Sequence, residues 1–232
     1  MTVVFPATLV LALLFFRVAI TPPVPPARDA EKTLDKNDVK RKADGLRNLV
    51  HVIKQGISVL VVLELLVAVA PWSLVSPVIT RLCPSSYHHS PPSNQLFVAL
   101  ALMIAGGALR LLCYRALGSA FTWEVTKPSM LVTTGPYAWA RHPSYPGIWL
   151  TMTGSIIFLL SPTTVLRECI PPGGARLTLN IFVVIYILWA ATWCGFLAIR
   201  ARGEDALLKK EFGKQWEAWN EKTRAMFIPF VW

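Results

Sequence analysis

Apolar runs separated by turn-rich or charged connections set the pattern of this chain. Five of them approach the roughly 20 apolar residues that an α-helix needs to cross a bilayer core of ~30 Å. The first runs from about Val3 to Ile20 (VVFPATLVLALLFFRVAI), and the second from about Val52 to Val78, centred on ISVLVVLELLVAVA. The third is LFVALALMIAGGALRLLCYRAL, from Leu96 to Leu117. IWLTMTGSIIFLL with its flanks makes the fourth, and LTLNIFVVIYILWAATWCGFLAI, from Leu177 to Ile199, the fifth. The pattern predicts an all-α protein: a polytopic transmembrane helical bundle of about five spans. The first run lacks the basic n-region of a signal peptide and reads as a retained helix.

The connections alternate in charge. Residues 21–48 hold seven Lys/Arg beside five acids, whereas residues 71–94 hold only Arg81 and residues 161–176 only Arg167 and Arg176. The 118–146 connection holds Lys127 and Arg141, and the tail from Arg200 onward holds seven basic residues. Five spans obeying the positive-inside rule give this alternation. The N-terminus then faces away from the cytoplasm, and the 118–146 connection and the C-terminus both face it. Residues 21–48 read as a Pro-rich, then charged, linker or surface helix. The tail predicts an amphipathic helix over 203–222, with Leu208, Phe212, Trp216 and Trp219 on one stripe, caught in the membrane interface or packed against the bundle. The organisation is an N-terminal pair of helices over 1–94 and a functional core over 95–232.

Composition agrees with a membrane protein: 54% hydrophobic and 16% charged, with mean hydropathy +0.49, against about 25% charged in soluble domains. The net charge of +10 does not point to nucleic acid, because the basic residues flank apolar runs. Cys83, Cys113, Cys169 and Cys194 lie far apart with no C-x-x-C pair. They suggest neither a zinc site nor a disulfide framework and read as apolar fillers.

Against this background TTGPYAWARHPSYPGIW, residues 133–149, stands out. It packs three Pro, two Gly, two Tyr, two Trp, an Arg and a His between apolar segments. A plain connector needs only a Gly or Pro and some polar residues. Arg110 lies ~10 Å inside the third helix, and Arg200 ends the fifth. Charges at such depth are functional candidates, although snorkelling to the headgroups accounts for Arg17 and Arg115. Glu64, within VVLELLV, reads as a partner in a helix–helix hydrogen bond. His142 alone reads as a structural hydrogen-bonder, and the expected topology, which puts His88 and His89 on the opposite side, speaks against a metal site joining them to it. Glu204 and Asp205 at the start of a tail helix complement its dipole. What sets Arg200, Glu204 and RHPSY apart is that they share one side of the membrane.

LVTTGPYAWARHPSYPG, the upstream GGALRLLCYRALGSAFTWEV and the downstream RARGEDALLKKEFGKQWEAW together resemble the isoprenylcysteine carboxyl methyltransferase family. The resemblance covers roughly residues 100–232. It implies an integral membrane enzyme of the endoplasmic reticulum, with S-adenosylmethionine as cofactor, S-adenosylhomocysteine as product and prenylated C-terminal cysteine proteins as partners in the bilayer. Nucleic acid and metal have no part in it. Carried over, it places Ser129, Met130, Leu131 and Val132 along the cofactor, largely through backbone. Tyr137 and His142-Pro143-Ser144-Tyr145 would hold its nucleoside and amino-acid ends, and Glu204 would reach it from the tail helix. Arg110 and Arg200 match the positions that engage the substrate carboxylate. Two residues depart from the family: Asp205 replaces a second Glu, and Pro146 follows Tyr145 directly and threatens the local turn.

The implied chemistry suits this inventory. A carboxylate with an ordinary pKa near 4 is already ionised at neutral pH, so methyl transfer to it needs alignment, not a general base. A buried carboxylate needs pairing, and an Arg fork supplies it. Two arginines would repel the cationic substrate of a phosphatidylethanolamine N-methyltransferase. A sterol-type reductase shares an R-H-P-x-Y stretch but calls for more spans, and a membrane scaffold would use RHPSY only as a rigid turn.

Overall fold

A computed structural model describes residues 3–21, 38–83, 90–118 and 130–229. Ser129, with His88 and His89, lies outside the described residues. Eight α-helices follow one another among them: α1 Val4–Ile20, α2 Asp38–Val69, α3 Trp72–Leu82, α4 Asn94–Leu117, α5 Ser144–Leu160, α6 Val165–Cys169, α7 Gly174–Phe212 and α8 Lys214–Lys222. A 3-10 turn, Gly135–Ala138, lies between α4 and α5. No strand occurs among the described residues.

The expected membrane bundle is present. Four stretches are long and apolar enough to cross a bilayer: Asn48–Val69, Asn94–Leu117, Ser144–Cys169 and Gly174–Phe212. The 17-residue α1 is shorter, about 26 Å at 1.5 Å per residue, and packs into the same bundle. Phe5 meets the Phe97 ring at 5.8 Å, and a Cβ at Gly107 would strike the backbone of Phe15, so α1 and α4 run parallel. Arg17 bonds Ser58 at 3.2 Å and Lys54 bonds Thr21 at 3.3 Å, which makes α2 antiparallel to α1. Contacts Arg110–Ser144 and Ser93–Ser161 set α5 antiparallel to α4, and Ser155–Tyr186 and Tyr145–Glu204 set α7 antiparallel to α5. Five apolar helices thus alternate in direction. Arg17 does not merely snorkel: its guanidinium ties α1 to α2 through Gln55 and Ser58.

The core divides by height. Leu9, Ala12, Phe16, Val61, Leu100, Met103 and Phe158 fill the middle and one end. At the other end, Cys113, Tyr137, Trp216 and Trp219 form one cluster, and Tyr145, Leu197, Ala201 and Phe227 another. Outward-facing Phe182, Ile185, Leu188 and Ile199 leave α7 with a bare apolar face, which in a membrane meets lipid.

Three sequence expectations change. The second apolar run does not reach Val78 as one helix. Pro71 lacks an N–H and disfavours helical conformation in its predecessor, so α2 stops at Val69 and α3 begins at Trp72. The tail helix does not start at 203: α7 runs unbroken from the fifth span to Phe212 and stops at Gly213, whose φ of 48° suits glycine. α8 then completes the stretch. Finally, Cys83 and Cys169 are not fillers but a disulfide, with Cα atoms 4.4 Å apart, while Cys113 and Cys194 are free. The bridge joins the end of α3 to the end of α6, far from the 133–149 stretch. Reduction, or Cys83→Ser, is expected to lower the thermal unfolding temperature in detergent, by a loss of about 2–4 kcal/mol, the usual range for a disulfide. An unchanged midpoint would mean that the bridge holds nothing in place.

Glu64 makes its buried hydrogen bond across elements as anticipated, though to backbone: its carboxylate receives the Val165 N–H at the start of α6.

Candidate functional site

The site lies where the C-terminal end of α4, the first turn of α5 and the stretch 197–205 of α7 converge. The 3-10 turn Gly135–Ala138 and the non-helical residues 130–133 precede it in the chain. Pro143 precedes α5, and Pro146 falls in its first turn, where a missing N–H has no helical partner to lose. The concern that Pro146 distorts the turn is therefore removed.

Arg110 is 4% exposed. Its Nη1 donates to Ser144 Oγ at 2.9 Å, and its Nη2 donates to the Tyr114 hydroxyl one turn along α4. Its Nε is buried without a hydrogen-bond partner, an unsatisfied donor that costs free energy until something accepts from it. Arg200 donates from Nε to Glu204 Oε1 at 2.8 Å, and Tyr145 OH donates to Glu204 Oε2 at 2.8 Å. Consecutive residues Ser144 and Tyr145 thus face the two arginines' neighbourhoods, and the arginines flank the first turn of α5. Ser144, expected along a cofactor, is engaged with Arg110.

His142 is buried between two carboxylates. Its Nε2 lies 2.9 Å from Asp205 Oδ1 and its Nδ1 3.5 Å from Glu204 Oε2. Tyr145 stacks on the ring at 5.7 Å with an 8° interplanar angle. Burial pulls the imidazole pKa down, but hydrogen bonds donated to the Asp205 and Glu204 carboxylates, with the charges of those groups, outweigh it and leave it above the ordinary 6.5. The groups around it are Asp205 and Glu204 of α7, with Arg200 behind Glu204, Arg141 at its side, Tyr145 of α5 and the apolar Phe227. A folded pKa above the unfolded one gives stability that is fully present below about 6.5 and lost as pH rises through the folded value. The melting temperature is therefore expected to fall across that rise, and His142→Gln to flatten the profile; a parallel profile in the variant would exclude this contribution.

The remaining expected residues divide. Tyr137 is buried against Cys113, Trp216 and Trp219, and its carbonyl accepts from Trp219 Nε1 at 3.0 Å. Burial above all raises its hydroxyl pKa well beyond the tyrosine range. Leu131 and Val132 are half-buried against the same cluster, and Met130 is exposed. Glu204 and Asp205 stand in the interior of α7, not at a helix start. A helix-dipole role is thereby excluded, because the dipole's charge resides in the terminal turn.

Two partnerships had no sequence signal. Arg141 clasps Asp205 at 3.0 Å and the carbonyls of Thr223 and Arg224 at 3.0 and 2.7 Å. The segment 223–227 lies along it: Arg141 and His142 N–H groups donate to Ala225 and Met226 carbonyls at 2.9 and 2.8 Å. Phe227 closes on Trp149 at 4.9 Å.

Residues 99–170 match the model of the isoprenylcysteine carboxyl methyltransferase family. The chain is 29% identical over 134 residues to a protein-S-isoprenylcysteine O-methyltransferase of Saccharomyces cerevisiae, covering 56% of this chain and 47% of that protein. Its identity to the Tribolium castaneum protein of the same name is 31% over 138 residues, 58% of this chain and 41% of the other. It is also 27% identical over 127 residues to a delta(14)-sterol reductase of Gibberella zeae, 47% of this chain and 26% of that protein. The chain thus spans about half the length, or less, of these curated relatives. The resemblance read from Gly135-Pro136-Tyr137 and the RHPSY stretch is confirmed over that region.

Proposed function

We propose that this chain is a membrane methyltransferase that esterifies the terminal carboxylate of an S-prenylated cysteine, with S-adenosylmethionine as donor. The observation that carries this reading is the pair of arginines flanking the first turn of α5, one of them with a buried, unpartnered Nε. A substrate carboxylate is an acceptor suited to that donor, and guanidinium forks bind carboxylates in two-point fashion. Cationic lipid amines are disfavoured there, which argues against phosphatidylethanolamine.

The residues present fit the cofactor by their chemistry. Its sulfonium and amino group are cationic, and Glu204 brings a carboxylate to the side of Tyr145 and His142. Met130, Leu131 and Val132 offer backbone groups, His142, Pro143, Ser144 and Tyr145 form the wall, and Glu204 is the closing acceptor. When bound, the cofactor supplies an electrophilic methyl group. The protein's part is to orient: Arg110 and Arg200 hold the carboxylate, already ionised at neutral pH, and the aromatic wall of Tyr145, Trp149 and Phe227 excludes water. A clamp of moderate strength leaves the nucleophile reactive, since interactions shared equally by ground and transition states do not raise kcat. The prenyl chain stays in the apolar phase that α7 borders.

The bridge Cys83–Cys169 and the weakly charged 71–94 and 161–176 connections supply two independent supports for orientation. Disulfides persist in oxidising compartments, and few Lys/Arg mark the non-cytoplasmic side. The site and the C-terminus then face the cytoplasm, and the endoplasmic reticulum membrane is the proposed location.

Methyl transfer from labelled S-adenosylmethionine to N-acetyl-S-farnesylcysteine by the purified protein tests the reading. Base-labile label in that product supports carboxyl methylation; label confined to phosphatidylethanolamine overturns the clamp. The likeness to a sterol reductase warrants a parallel sample with NADPH and a sterol diene, where turnover would replace the methyltransferase reading altogether.

A further inference from the structure

The acid after Glu204 does something different from it. Both oxygens of Asp205 are engaged: Oδ1 with His142 Nε2 at 2.9 Å and Oδ2 with Arg141 Nε at 3.0 Å. Arg141 is also the residue whose guanidinium holds the Thr223 and Arg224 carbonyls. Two backbone hydrogen bonds then carry the contact on to Ala225 and Met226, and Thr223 Oγ1 reaches the Ala138 carbonyl at 3.2 Å. A single carboxylate on α7 therefore joins three chain segments: the connection before α5, α7 itself and the strap 223–227. Phe227, 3% exposed, lies beside the His142 and Tyr145 rings at 6.3 and 6.2 Å.

The arrangement also fixes what His142 presents. With Nε2 held by Asp205, Tyr145 stacked on one face and Phe227 alongside, the ring has one orientation left, and it directs Nδ1 at Glu204. An imidazole pinned on one nitrogen by a carboxylate has its other nitrogen defined in both direction and protonation. We infer that Asp205 is a positioning residue that latches the strap 223–227 across the site and, through His142, sets Glu204 in place for the cofactor. Its last clause rests on the cofactor role proposed for Glu204; the latch itself does not.

Asparagine at 205 keeps the size but turns one oxygen into an N–H donor, so it cannot accept from both Arg141 and His142. Glutamate keeps both acceptors on a longer stem. Three proteins decide the matter: the parent, Asp205→Asn and Asp205→Glu, each as the full chain in detergent. In the unliganded protein, amide hydrogen exchange at Arg141 and His142 is expected to quicken by about tenfold or more in D205N, since a hydrogen bond to a charged group is lost. Amides of α4 and α5 keep their protection, which separates unlatching from unfolding. NMR titration of the His142 imidazole, assigned by its loss in His142→Gln, shifts to lower pH in D205N. Affinity for S-adenosylhomocysteine drops by about tenfold or more, and D205E recovers most of each change. Parental exchange and titration in D205N overturn the latch. Quickened exchange with undiminished affinity overturns the positioning role and leaves a merely structural contact. A parent that does not bind S-adenosylhomocysteine defeats the cofactor reading, while exchange and titration still judge the latch.

Discussion

Under the proposed activity, Arg110→Ala is expected to lower carboxyl methylation of N-acetyl-S-farnesylcysteine by roughly a hundredfold or more and to leave S-adenosylhomocysteine binding close to the parent's. Truncating one partner of a buried, hydrogen-bonded charge pair costs about 2–5 kcal/mol, and each 1.4 kcal/mol is tenfold. Arg110 is buried four residues before Tyr114 and reaches across to Ser144. Its unpartnered Nε is the feature that a bound carboxylate would complete. Arg110→Lys is the sharper companion. It keeps the charge but loses the planar fork, so activity should return only in small part. Because Ser144 leans on Arg110, unfolding must be followed alongside. Loss of cofactor binding at parental stability would take Arg110 out of the carboxylate clamp and assign it to the cofactor.

A comparable loss, this time of structure, is expected from Gly107→Ala. The added Cβ would clash with the carbonyl oxygen and carbon of Phe15. Backbone lies on both sides of this contact, so no side chain can swing away; α1 has to lift off α4. Overpacking of a tight core costs about 1–3 kcal/mol and occasionally more, and a helix-to-helix backbone contact belongs at the upper end. The measurement is thermal unfolding in detergent, with amide exchange in α1. Gly195→Ala is the control, because nothing lies within 4 Å of a Cβ there. Equal melting of Gly107→Ala and the parent would contradict the seating of α1 on α4.

Much of the architecture was legible in sequence because it depends on local quantities. Apolar length located the helices. What escaped depends on pairings distant in the chain. Cys83 and Cys169 are 86 residues apart, and no spacing rule links two such cysteines before the fold is known. The continuity of α7 was missed for another reason. Polarity changes abruptly at Arg200, and Gly203 resembles a boundary, yet glycine inside a helix costs only about 1 kcal/mol. Good helix formers on either side, and the packing of Leu197, Ala201 and Asp205, override it. At the site, the RHPSY stretch and Glu204 were recognisable, but the partnership of Arg141 with Asp205 and with residues 223–226 was not. It joins positions 64 and more than 80 residues apart.

The unbroken α7 also sets a phase. Its 39 residues make a rod of about 58 Å, roughly twice a bilayer's apolar thickness, with lipid-facing residues on one stretch and Arg200, Glu204 and Asp205 on the next. Each residue added within the span would turn everything beyond it by about 100° and carry the two carboxylates away from His142. Chains of this design can therefore lengthen that helix only in near-whole turns, and any rolling of the buried half about its axis is delivered directly to the acids at the other.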